Sequence, residues 1–286
     1  MGSVSRRKRC FLEQSKWKTI PFELKKSPRL ISSRMQDILC DIPGFLEDVL
    51  ALETLKSNGD TISVDRSAAA LSSRVIEAIE RLCDLRWEWE DENPSTCYEV
   101  ATRPGTTLCV DDFGEPLFQT VLFFQRMDRA MEILNFNAQF LVLYNILSLT
   151  GTDPLSVTAE KKKIPSDISS SILSSVFGPV RPTRSMTANA LVNPGQWNSL
   201  EDLAVEICRL VDYFLFGKYD GLGAFTLLFP LRVAYKTLRH DQRIASWLRR
   251  MFRDIADSRG FEIGVHMLKQ EDESSPLVFI NRHKYK

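Results

Sequence analysis

Histidine is scarce in this 286-residue chain: three occur, His240, His266 and His283, all in the last fifth. None is spaced to share a metal ion, and surface or partly packed roles are expected for His240 and His266. Six cysteines stand at 10, 40, 83, 97, 109 and 208 without forming a C-x-x-C pair. That pattern offers neither a zinc spacing nor a disulfide framework. The phosphate-cradling glycine loops and the G-x-S-x-G nucleophile turn are missing too. No catalytic residue, metal ligand or cofactor is expected, and the chain reads as a non-enzyme.

Long apolar runs are also lacking. The longest uncharged stretch, Ile133 to Thr152, is interrupted by Asn135, Asn137, Gln139 and Asn145. It suits a core helix better than a membrane span. The start, Met-Gly-Ser-Val-Ser-Arg6, has no apolar leader, and Arg6 breaks the myristoylation pattern. No membrane association is expected, and an intracellular, reducing compartment is. Net charge is absent as well, with 37 basic and 37 acidic side chains. No global field steers the chain toward nucleic acid.

What is present is helical periodicity. Ser27 and Pro28 mark the start of a helix running to Cys40, which Pro43-Gly44 should break; a second runs from Phe45 to Lys56. A long helix is expected from a cap at Asp65 to about Glu92, with Leu71, Val75, Ile79, Leu82 and Cys83 inward. Its end carries Trp87 and Trp89, which point to different sides, one of them into the core. Asn93 to Gly114 reads as loop, and Leu117 to Met127 and Met131 to Leu149 as helices. Residues 151–198 shift to Lys, Ser and Pro and read as a long, partly disordered connection.

The last apolar block, Ser199 to Gly264, reads as three helices. Ser199 with Asp202 makes a capping box, Asp241 caps the third helix and Gly260 stops it. Gly221 and Gly223 suit a close approach, and Pro230 should kink or split the middle helix. The apolar stretch from Phe225 to Tyr235 also supplies candidate contacts for a partner or small ligand: Phe225, Leu228, Phe229 and Tyr235. The fold class expected is all-α, an irregular multi-helix bundle over residues 28–270. A basic flexible arm over 1–27 precedes it, and a polar tail over 271–286 follows.

Charge within that arm is one-sided. Residues 1–30 hold nine basic and two acidic side chains. Arg6, Arg7, Lys8 and Arg9 form a cluster of the kind nuclear import receptors read. With no folded reader behind it, the arm is not expected to bind specific DNA.

One acidic motif invites chemistry. Asp111, Asp112 and Glu115 follow the aspartate-rich spacing with which isoprenoid synthases hold magnesium and a diphosphate. Gly114 and Pro116 place it in a turn, and no second acidic metal motif follows.

Three patches carry a resemblance. They are Trp87-Glu-Trp-Glu90 with Cys97-Tyr-Glu-Val100 and Leu108 to Phe118; Gly221 to Tyr235; and Ile255 to Gly264. Together they resemble the C-terminal helical region of fungal binuclear zinc-cluster transcription factors. That resemblance implies a nuclear regulatory domain, with the cytoplasm as alternative. It would act through protein contacts with a transcription factor or with itself, a small-molecule effector being open. Such factors often govern secondary-metabolism or host-interaction genes. The family's zinc module needs six cysteines, and the first 39 residues hold only Cys10. No DNA reader can be carried over.

Overall fold

The computed structural model describes residues 8–23, 28–152, 190–194, 196–197, 199–216 and 220–261. Among these the architecture is mostly helical, with one small sheet. A 3-10 turn at Phe11–Glu13 leads to α1 (Ser15–Glu23). Then come α2 (Ile31–Ser57) and α3 (Thr61–Glu92). Strand β1 (Cys97–Ala101) pairs antiparallel with β2 (Thr120–Phe124), Glu99 opposite Leu122. Next are α4 (Met127–Leu149), α5 (Leu200–Arg209), α6 (Val211–Leu215), α7 (Asp220–Leu238) and α8 (Gln242–Arg259).

Helix α4 is the centre. It packs against α2, α3, α5 and α7. It can do so because it is apolar on most sides: Ile133, Leu134, Phe136, Phe140, Leu141, Leu143, Ile146 and Leu147 are all buried. Two of its buried polar groups find partners within the core, while Gln139 Oε1 has none. Trp89 Nε1 donates to Glu132 at 2.8 Å, and Asn137 donates to Glu206 at 3.0 Å. Trp89 is thus the inward tryptophan of α3, and Trp87 is exposed.

Several expectations are corrected. The chain is not purely all-α. Residues 120–124 form a strand where a helix was expected, because the β-branched and aromatic run Thr-Val-Leu-Phe-Phe pairs with Cys97–Ala101. Pro43 does not break α2, and Pro230 does not split α7. In α2 the buried stripe Ile31, Met35, Ile38, Ile42, Phe45, Val49 and Leu52 stays in helical phase through the proline. Burying it as one rod outweighs the lost backbone bond, which costs about 3 kcal/mol. Helix α3 starts earlier than expected, with Asp60 capping Ser63 N at 3.1 Å.

Residues 8–23, expected as a flexible arm, lie folded against α2, with Arg9 ion-paired to Asp48. The end of the 151–198 connection packs on the core: Leu191 is buried, and the Trp197 ring meets Phe140 edge-on at 4.4 Å. Residues 153–189 of that connection, residues 262–270 and the 271–286 tail lie outside the described residues, as do His266 and His283. At the C-terminal end the capping box of Ser199 and Asp202 is formed, and Asp241 and the left-handed Gly260 (φ 71°) bound α8 as expected.

Candidate functional site

The chemistry of the chain gathers where the 106–118 loop lies across α8. The loop is a tight hairpin. Val110 bridges Pro116, the Asp111 amide donates to the Glu115 carbonyl at 2.9 Å, and Gly114 supplies the positive φ (84°) the turn needs. Asp111 closes it from within, its Oδ1 accepting from the Phe113 and Glu115 amides at 2.9 and 3.0 Å. This is the local logic of an Asx turn, in which a short carboxylate satisfies the backbone two residues on.

Helix α8 then clamps the hairpin from outside. Arg243 donates twice to Asp111 Oδ2, at 2.7 and 3.1 Å. Asp112 accepts from Ser246 and from Arg250, both at 2.8 Å, and Arg250 also reaches the Val110 carbonyl. Trp247, fully buried, donates from Nε1 to the Leu108 carbonyl at 2.8 Å. These contacts recur at positions 243, 246, 247 and 250, so one face of α8 carries the whole clamp. Beneath it, buried Asp212 accepts from the Leu108 amide at 2.9 Å.

Electrostatics follow from these partners. Burial pushes the Asp111 carboxyl up, but the Glu115 amide, Arg243 and the Phe113 amide outweigh it and hold the group below the usual carboxylate range. Asp212 is pushed the other way by burial, against the pull of its hydrogen bonds. The neighbouring thiols are unreactive for the same reason: burial drives Cys109 and Cys208 well above their ordinary value.

The two aspartates of the acidic motif are therefore spent on structure. Both Asp111 oxygens and both Asp112 oxygens are engaged by donors of this chain. A magnesium site needs carboxylate lone pairs aimed at an open coordination sphere. Here the opposing helix brings guanidinium groups, and no cluster of three metal-binding side chains occurs among the described residues.

What the clamped turn does present is a side chain. Phe113 stands at its tip with 92 % of its surface exposed. Its backbone is fixed, with the Phe113 amide donating to Asp111 Oδ1 and the Gly114 amide to the Asp111 carbonyl. Sequence patterning missed it, because a lone phenylalanine in a loop has no period to mark it.

No protein-family model, curated protein or solved structure matches the chain.

The contact residues expected on α7 do not form one surface. Leu228 and Tyr235 are buried in the core, with Tyr235 Oη accepting from Arg249 at 3.0 Å. Seven residues apart, they share the inward side of the helix. Phe229 is half-buried. Phe225 is 49 % exposed, as is much of Leu222 one turn before it, and its ring packs 5.8 Å from Phe261. Phe216, also exposed, ends α6 at the same corner. Of the import cluster, Arg6 and Arg7 lie outside the described residues and Lys8 is exposed. Arg9 is ion-paired to Glu13 at 2.7 Å and to Asp48. No described helix is long and apolar enough to cross a membrane.

Proposed function

We propose that the chain is a helical regulatory module that works in the nucleus by holding a partner protein. The observation that carries this is Phe113: a large apolar side chain held in water on a turn whose backbone and carboxylates are already fixed. Interfaces draw most of their affinity from a few aromatic anchors, and an anchor presented rigidly loses little freedom on binding. Phe225, Leu222 and Phe216 offer a second apolar surface at the α6–α7 corner. The resemblance to the zinc-cluster regulatory region supports the nuclear setting and gene control as the process. A small-molecule effector is a refinement of the same module.

A tethered-reporter assay tests it. The full chain, fused to an unrelated DNA-binding domain, is expected to change reporter output. The Phe113→Ser fusion is expected to lose most of that change, by about tenfold if the side chain is a hot spot. Circular dichroism melting should be unaltered, because the Phe113 side chain stands almost wholly in water. Reporter output indistinguishable from the DNA-binding domain alone, with a fluorescent fusion excluded from the nucleus, sinks the proposal.

A further inference from the structure

Residues 8–23 lie against α2 without burying a single residue. Phe11, Trp17 and Ile20 all face water. What holds the segment is charge. Arg9 pairs with Asp48, its backbone amide donates to Glu47 at 3.0 Å, and Lys18 pairs with Asp41. Arg74 of α3 joins the cluster through Asp48 at 2.6 Å. Arg29 ties the segment's far end, donating to Asp37 at 2.8 Å and to the Lys18 carbonyl at 3.1 Å.

The helix also makes room. A Cβ added to Gly44 would stand 2.7 Å from both Glu13 carboxylate oxygens and 2.9 Å from Arg9 Nη1. Gly44 therefore opens a notch in the middle of α2, bounded by Asp41 on one turn and by Glu47 and Asp48 on the next. The Arg9 and Arg74 pairs are partly exposed, and the Lys18–Asp41 pair is more shielded, at 17 % and 16 %. Pairs open to water are weak one by one and are screened by salt. A segment held by a few such pairs and one backbone bond, with no side chain of its own buried, is held reversibly.

Resting on the nuclear reading above, we propose that this acidic ridge is a docking site for a cationic segment. Residues 8–23 fill it in cis. Docking engages Arg9, a member of the Arg6–Arg9 cluster, and so competes with an import receptor, which must surround the same guanidinium with its own acidic groups. Release of the segment frees Arg9 from Glu47 and Asp48.

Two full-length variants test the ridge. Asp41→Lys with Glu47→Lys reverses charges whose partners lie in the segment, and Gly44→Leu fills the notch. Limited trypsin digestion reads the rate of cleavage after Arg9, Lys16 and Lys18. At about 0.05 M salt both variants should be cut about tenfold faster than the parent, and the difference should vanish near 1 M salt. Neither variant should lower the bundle's melting temperature, since no apolar side chain is lost and Gly44→Leu puts a better helix former inside α2. The nuclear fraction of a fluorescent fusion should rise in both variants. Equal cleavage rates in parent and variants overturn the docking site. Faster cleavage with an unchanged, partly nuclear fusion overturns the competition with import. Faster cleavage with every fusion excluded from the nucleus keeps the docking site and removes the nuclear reading instead.

Discussion

Gly223 shows how much one missing carbon decides. A Cβ there would sit 2.1 Å from the Phe214 carbonyl oxygen, and that oxygen is backbone. Unlike a flexible side-chain end, it cannot swing aside, so the start of α7 would have to lift off α6. Gly223→Ala is expected to destabilise the fold by about 3 kcal/mol, despite alanine's better helix propensity. Urea denaturation measures it, and a change within about 0.5 kcal/mol of zero would show that the contact yields. A close approach at this glycine was legible in the sequence, because a glycine inside an apolar helical pattern has few other uses. The partner of that approach was not, because Phe214 lies on another element. The same limit explains Phe225, Leu228, Phe229 and Tyr235. They are neighbours in the apolar run, yet only helical phase against the finished core decides that Phe225 faces water and Tyr235 does not.

The clamp between the 106–118 hairpin and α8 is the most informative contact between elements. Asp111→Ala removes the acceptor of two hairpin amides and of Arg243 together. Hydrogen exchange at residues 110–116 is expected to quicken by about tenfold, while the amides of α4 keep their protection. Uniform protection in parent and variant would assign the turn's order to Gly114 and the Val110–Pro116 bridge instead. Acid should act on the same point. The Asp111 carboxyl is depressed in the fold, so its contribution is present above the ordinary aspartate value of 3.8 and fades as pH falls through the lower, folded value. Fast exchange of these amides at pH 5 would contradict that order. The helices here were legible from apolar spacing and caps, Ser199 and Asp241 above all. The strands were not. Cys97–Ala101 is mostly exposed, so it lacks the alternation that marks a half-buried strand, and β2 shows its nature only when β1 lies beside it.

Among the described residues two buried carboxyls, Glu206 and Asp212, are raised by burial and bear on the pH response. Burial raises Glu206, against bonds from the Val192 amide and Asn137 and the nearby charges of Arg86 and Arg209. Burial raises Asp212 as well. A raised acid binds its proton more readily folded than unfolded, so it favours folding as pH drops from neutral toward the ordinary values of 4.5 and 3.8. Asp111 and Asp128 are depressed and act in the opposite sense below that range. Thermal melting is therefore expected to shift upward as pH falls from neutral toward 4.5, and to fall again below 3.8 as Asp111 and Asp128 take up protons. A melting temperature that declines steadily from neutral down to pH 4.5 would mean that Glu206 and Asp212 stay ionised in the fold. Sequence patterning gives no warning of either group, because both sit on α5–α6 faces whose other members are plainly apolar.

The hairpin and its clamp lie far apart along the polypeptide, Arg243 coming 132 positions after Asp111 and Trp247 139 after Leu108. On the ribosome the turn leaves first. At roughly ten residues per second it waits more than ten seconds for the arginines and the tryptophan that fix it. For that interval the hairpin lacks the arginines, Trp247 and the Cys208 carbonyl that later enclose Cys109 and its neighbours.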